Sequence, residues 1–105
     1  MGTVESFTLA TFVPLVGDRF ELVVGGSEVT DLTLAEVEEP HPRSNARAKA
    51  GARRSPFSIV LRGPLEPVLP QRIYTFRHDK LGSFELFIVP IGPDDEGMRY
   101  EAVFS

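Results

Sequence analysis

Three adjacent polar residues, His78, Asp79 and Lys80, carry side chains that could do acid–base chemistry. A catalytic histidine needs a nucleophile or a metal within reach, and an acid that orients its ring. Successive side chains of a strand point to opposite faces, so Asp79 could not orient His78 from a strand. Asp79 and Gly82 are instead typical of a turn, because aspartate bonds to nearby backbone and glycine accepts positive φ. We therefore predict a structural hairpin turn at 78–83 and assign no catalytic residue.

Two groups of carboxylates, within residues 94–96 and 36–39, could bind a cation. Neither group has the alternating ligand spacing of a calcium loop. The chain has no cysteine, and its two histidines are His41 and His78, so thiolate zinc sites and three-histidine sites cannot form within one chain. We therefore expect a solvated hairpin tip at 94–96, a solvent-facing acidic surface at 36–39, no metal site and no cofactor.

A ligand-binding site remains an alternative. Arg62 ends an apolar run just before Gly63 and Pro64, which places it near the mouth of the fold. The other interpretation of Arg62 is an ion pair with a neighbouring carboxylate. If the mouth binds a small ligand or a carbohydrate, Arg62, Tyr74 and His78 are the residues we expect to line it. A hydrolase that uses His78 is a third alternative.

The elements that must position these residues are strands. Alternating or continuous apolar runs, separated by glycine- and proline-containing turns, predict six of them. They span 19–24, 29–39, 56–63, 71–78, 83–92 and 98–105. Val37 is out of phase with Leu32 and Leu34, which indicates a β-bulge near Ala35 and Glu36.

The strand connections are mostly too short for crossover helices, so we expect an antiparallel all-β domain that spans 1–105. Six strands around one core hide their edges best in a small barrel or a two-layer sandwich, and we favour the barrel. Pro14 excludes a long N-terminal helix. A short helical turn at 8–12, followed by a turn at Gly17 and Asp18, is the predicted start of the domain.

Residues 40–55 differ in composition from the rest of the chain, since they contain no large apolar side chain. The positive charges of this segment are Arg43, Arg47, Lys49, Arg53 and Arg54. Such a segment cannot bury enough apolar area to offset the entropy of ordering it, so we predict a mobile basic loop between strands. Residues 43–54 are the only candidate contact for nucleic acid. No aromatic side chain lies among them to stack on bases, so we do not expect a nucleic-acid partner.

The strand 83–92 is apolar on both faces. One face carries Phe84, Leu86 and Ile88, and the other carries Phe87, Val89 and Ile91. A single core covers only one face of a sheet, so the second face needs a cover. If residues 7–16 fold over it, the protein is a monomer. If they do not, the exposed patch of Phe87, Val89 and Ile91 should bind another protein or, as we favour, a second copy of the chain.

Bulk composition excludes several classes of protein. The longest apolar run of the 105 residues is far short of the ~18 that a membrane-spanning helix needs. The N-terminus carries Glu5 and no basic region, so it does not have the pattern of a secretory signal. A net charge of −4 is too small and of the wrong sign for a dedicated nucleic-acid-binding protein. We therefore expect a cytoplasmic protein without a membrane contact.

Four segments of the C-terminal half share a pattern with a known family. They are PFSIVLRGP, LPQRIY, HDKLGSFELFIVP and YEAVF, within residues 56–104. The pattern resembles that of small bacterial domains of unknown function, the DUF6916 type, although Leu61 stands where an aromatic residue is expected. The resemblance implies a stand-alone β-domain from bacteria and transfers no catalytic residue. Members sometimes occur beside phage-tail-like collar proteins, which implies a structural or assembly role.

These observations favour a non-enzymatic β-domain that acts through protein–protein contacts. The setting that the resemblance implies is a tail-like or other multi-subunit bacterial system. In that setting the cytoplasmic chain could be incorporated into a secreted or virion-like assembly.

Overall fold

The computed structural model describes residues 7–24, 28–39 and 56–104. The predicted basic loop at 40–55 lies outside the described residues, and so do residues 25–27. The elements are α1 (Leu9–Phe12), a 3-10 turn (Val13–Leu15), β1 (Arg19–Val24), β2 (Glu28–Glu38), β3 (Phe57–Gly63), β4 (Arg72–His78), β5 (Gly82–Asp94) and β6 (Gly97–Phe104). The all-β class and the short N-terminal helical turn are therefore confirmed.

The six strands close into an antiparallel barrel in the order β1-β2-β3-β6-β5-β4. Closure depends on β4, which returns to pair with β1 through residues 75–77 opposite residues 21–23. This seam has three residue pairs, whereas β1 and β2 form six. Of the two predicted architectures, the barrel is the one that forms.

Two bulges bend the sheet into the barrel. In β2, Leu34 lies opposite Leu61 and Glu36 lies opposite Val60, so Ala35 is the extra residue. This is the predicted bulge, and it returns the apolar side chains of β2 to the inner face. A second bulge lies in β5 between Pro90 and Gly92, and the sequence pattern did not predict it.

The N-terminal segment fills one end of the barrel, which we call the helical end. Phe12 of α1 is fully buried, with its ring centroid 5.4 Å from that of Phe104 and 5.9 Å from that of Phe57. Phe7 packs edge-on against Phe84 at 5.2 Å. Residues 7–16 therefore close an end of the core and do not fold over the outer face of β5.

The connection 64–71 covers the opposite end, which we call the loop end. Leu69 is buried there, and its backbone N–H donates to Tyr100 Oη at 2.9 Å. Tyr74 Oη donates to the carbonyl of Pro70 at 2.7 Å. This proline-rich segment contributes no strand to the sheet. Both ends of the barrel are thus filled by side chains of the chain itself.

None of the helices within the described residues is long and apolar enough to cross a membrane.

Candidate functional site

The structure places the three predicted ligand-binding residues at different points of the barrel. Arg62 is near the end of β3 at the loop end, on the outer face, because its neighbour Leu61 points into the core. Tyr74 and His78 both point inward from β4, but His78 lies four residues further along, at the helical end. Four residues of a strand span about 13 Å, so the three side chains do not line one mouth. A ligand-binding role for them stays a prediction.

His78 is a buried polar side chain at the helical end of the barrel. Its side chain is 4% exposed, and its ring stacks on that of Phe20 with centroids 4.5 Å apart. The backbone N–H of Lys80 donates to His78 Nδ1 at 3.0 Å, so that nitrogen acts as an acceptor. His78 Nε2 therefore carries the proton and donates to Asp18 Oδ2, also at 3.0 Å.

These two hydrogen bonds connect three parts of the chain. The turn after β4 is held through Lys80, the segment before β1 is held through Asp18, and the ring itself belongs to the core. The predicted hairpin turn is confirmed, with Gly82 at φ +77°. However, the side chain that bonds to the turn backbone is His78, whereas Asp79 is exposed. Both ring nitrogens of His78 are therefore engaged in hydrogen bonds within the chain.

Arg62 and Asp94 form a paired site at the loop end. Arg62 Nη2 donates to Asp94 Oδ2 at 2.6 Å, and Arg62 Nε donates to the same oxygen at 3.1 Å. Asp94 Oδ1 accepts from the backbone N–H groups of Glu96 at 2.8 Å and Gly97 at 3.0 Å. The Arg62 guanidinium, followed by the backbone bond from Glu96, lowers the pKa of Asp94 to about 2.

The bond to Asp94 also raises the pKa of Arg62. The ion-pair interpretation of Arg62 is therefore the one that the structure supports. Residues 94–96 form a hairpin tip, as predicted, and the carboxylate of Asp94 organises its backbone.

Glu36 and Glu38 of β2 lie close enough to Glu101 of β6 for their charges to interact across β3. The pKa of Glu38 is raised, first by a hydrogen bond with Glu36 and then by burial and by the charges of Glu36 and Glu101. The neighbouring negative charges make the ionised form of Glu38 less favourable. Among residues 7–24, 28–39 and 56–104, no group of three His, Asp or Glu side chains is placed to hold a metal ion.

A groove of about 740 Å³ runs along the seam where β1 meets the β4–β5 turn. Four of its charged side chains form two ion pairs: Arg19 with Asp31 at 3.5 Å, and Arg77 with Glu21 at 3.2 Å. These four side chains are therefore paired with each other and are less available to bind a charged ligand.

Large apolar side chains lie exposed on the outer face of β4, β5 and β6. Ile73 and Phe87 are directly opposite each other in the β4–β5 pair and are 60% and 50% exposed. Val89 pairs with Glu101, and Phe87 and Val103 each lie two residues beyond this pair. Val103, which is 70% exposed, therefore continues the row that Ile73 and Phe87 begin.

Val89 extends this row along β5 towards the loop end, and Ile91, the extra residue of the second bulge, follows it. Val89 is half-buried and Ile91 is exposed. We call these five residues the outer patch: Ile73, Phe87, Val89, Ile91 and Val103. The sequence identified Phe87, Val89 and Ile91 but did not identify Ile73 and Val103. The alternation of β4 and β6 does put both on an outer face, but only the register of the barrel places them beside Phe87.

Comparison with protein families gives a match that spans the whole described barrel. The model of the family named Domain of unknown function (DUF6916) matches residues 7–104. The family predicted from the C-terminal motifs is thus confirmed, and the match includes the N-terminal segment that fills the helical end, from Phe7 onwards. Neither the curated proteins nor the solved structures include a match to this chain. The chain belongs to the DUF6916 family of domains of unknown function.

Proposed function

We propose that this domain acts through protein–protein contact at the outer patch and not through chemistry. The observation that carries the proposal is the exposure of Phe87 on a barrel whose two ends are already filled by its own side chains. The core is complete without Phe87, since its neighbours Leu86 and Ile88 supply the inward face of β5.

The energetics of exposure support a contact surface. Fully burying one side chain of this size contributes about 1.5–3 kcal/mol relative to leaving it in water. Single exposed apolar residues are ordinary, but contiguous apolar patches mark interaction sites. Ile73, Phe87 and Val103 form such a patch across three neighbouring strands.

The hydrogen bonds that the polar side chains already make support the same proposal. His78 uses both ring nitrogens in structural bonds, and Asp94 is saturated by Arg62 and by backbone N–H groups. A hydrolase based on His78 would have to break the bond from Lys80 to free a basic nitrogen. A ligand module that uses Arg62 and Tyr74 would likewise have to release them from Asp94 and Pro70.

We propose a structural or assembly role as the setting of this contact. A compact barrel with one apolar outer face is suited to be a repeated part of a multi-subunit system, such as the tail-like system that the family resemblance implies. In such a system the domain contributes a surface, and its rigidity comes from the closed sheet.

The test is site-specific photo-crosslinking in cells that make the protein. A photoreactive amino acid replaces Phe87 in one variant and Val16 in a control, because Val16 is also about half exposed but lies at the helical end. We expect a crosslinked species, to any protein or to a second copy, from position 87 and none from position 16. If position 87 gives no product above the control, the contact proposal is wrong.

A further inference from the structure

We infer that the partner of the outer patch is a second copy of this chain, which binds as a two-fold symmetric dimer. This inference rests on the proposed function and names the partner of the same surface. It follows from the area of the patch, the shape of the sheet and the placement of the charge next to Phe87.

The exposed apolar area suits the centre of a dimer interface. The five side chains of the outer patch expose on the order of 400 Å², about half of the ~800 Å² that each partner contributes to a standard interface. Polar side chains of the same face, such as Thr75 and Ser83, would supply the rim. In a two-fold dimer the same patch is used by both copies, so one surface provides both halves of the interface.

The shape of the patch also suits a second copy. The outer faces of β4, β5 and β6 are adjacent parts of the closed barrel and form one convex, pleated surface, which can pack along β5 against another sheet at about 10 Å. The chain itself supplies such an apolar pleated face. Two barrels that meet there bury Phe87 against its counterpart near the centre, where binding energy concentrates.

The charge of Glu85 selects the direction of the symmetry axis. Glu85 lies two residues before Phe87 on the same outer face, and Val89 lies two residues after it. An axis parallel to the strands would bring Glu85 opposite its own copy, and like charges directly opposite are destabilising. An axis across the strands through Phe87 instead places Glu85 opposite Val89, where its carboxylate can extend to solvent.

With that axis, the row of Ile73, Phe87 and Val103 meets itself. Each of these residues lies opposite the same residue of the second copy. Along the strands, Glu85 lies about 13 Å from Glu85 of the second copy, because each of the two side chains is two residues away from the axis.

The absence of cysteine from the chain makes this geometry directly testable. Opposed residues of sheets about 10 Å apart are too distant for a disulfide, so the reagent is a bis-maleimide with a short spacer, which links two copies of a single introduced cysteine only where that cysteine meets itself. With this reagent we expect Ile73→Cys and Val103→Cys to become mostly crosslinked dimers. Glu85→Cys and the exposed control Val16→Cys should stay mostly monomeric. Equal linking of all four variants, or linking of Glu85→Cys alone, would overturn the proposed axis.

Sedimentation of the unmodified protein tests the dimer itself. We expect a concentration-dependent dimer for the wild type and for Val16→Glu. Phe87→Glu should weaken dimerisation at least about 30-fold, because it places a charge at the centre of the interface. If circular dichroism shows that Phe87→Glu is unfolded, Ile73→Glu replaces it with the same expectation.

The two proposals fail in different ways. A wild type that stays monomeric up to about 1 mM overturns the dimer, since weaker association is outside the range of specific contacts. If position 87 nevertheless crosslinks to another protein in cells, the contact function stands without the dimer. If it crosslinks to nothing, both proposals are overturned.

Discussion

The two turns that flank β5 and the outer face between them use their side chains in opposite ways. At the turns, the polar residues His78 and Asp94 are bonded to backbone N–H groups and to side chains from distant parts of the chain. On the outer face, Phe87 and Ile73 lie half exposed or more. The polar residues that look reactive in the sequence are therefore hydrogen-bonded within the turns, and residues that look like core are at the surface.

The cause of this difference is the position of each residue in the sheet. A strand that ends in a turn leaves backbone N–H groups without ladder partners, and a side-chain acceptor at that point satisfies them. The middle of β5 has no such need, because its backbone is paired with β4. The side chains there point alternately into the core and out of the barrel, and no other part of the described chain packs over those that point outward.

The largest expected effect tests how tightly the Asp94 turn is built. A Cβ at Gly97 would overlap the carbonyl oxygen of Gly63 and crowd the side chain of Arg62. We expect Gly97→Val to lower the free energy of unfolding by about 3 kcal/mol or more, as measured by urea denaturation. Gly82→Val is the matched change in the His78 turn, where a Cβ meets open space at φ +77°.

For Gly82→Val, backbone strain alone should lower the free energy of unfolding by about 1–2 kcal/mol. Equal losses for the two variants would mean that the turn at Asp94 is no more crowded than the turn at His78.

A smaller effect tests the closure of the loop end. Tyr100→Phe removes the buried acceptor of the Leu69 N–H and should lower the free energy of unfolding by about 2 kcal/mol. Tyr74→Phe frees a Pro70 carbonyl that can turn to water, so its loss should be about 1 kcal/mol. If Tyr100→Phe unfolds like the wild type, the connection 64–71 is not a fixed cover of the core.

The smallest effect on the turns is a pH dependence. The pKa of Asp94 is lowered to about 2 in the folded state, from an ordinary value near 3.8. Because the folded pKa is depressed, the stabilisation is fully present above pH 4 and is lost as the pH falls through 2. Asp94→Asn keeps an amide oxygen for the turn but lacks the charge.

We therefore expect the difference in Tm between the wild type and Asp94→Asn to be constant above about pH 5 and to shrink steadily as the pH falls towards 2. The measurement is a series of thermal melts across this range. A difference that stays unchanged down to the lowest pH would contradict the bonding of Asp94 to Arg62.

Much of the local structure could be predicted from the sequence, because strands and turns have short-range patterns. The bounds of β1 and the bulge at Ala35 follow from alternation and from the phase of Val37. A barrel was the favoured architecture, but the strands that close it could not be predicted, since closure depends on pairing of residues 21–23 with residues 75–77 across more than fifty positions.

The same limit applies to the candidate site. Phe87 could be identified from its own strand, but its row with Ile73 and Val103 needs the register of three strands. The bonds of His78 to Asp18 and of Arg62 to Asp94 join residues 60 and 32 positions apart. No short-range pattern predicts such partners, so the same polar residues remain open to a catalytic interpretation until the fold is known.

The most direct test of the account compares one residue from each region. His78→Ala and Phe87→Glu are unfolded in urea at about 1 μM protein, where only the tightest dimers survive. We expect His78→Ala to lose about 3 kcal/mol, because a buried ring and two hydrogen bonds are removed. Phe87→Glu should lose less than about 1 kcal/mol, as surface substitutions do. The reverse order, with Phe87→Glu the more destabilised, would place Phe87 in the core and contradict the account.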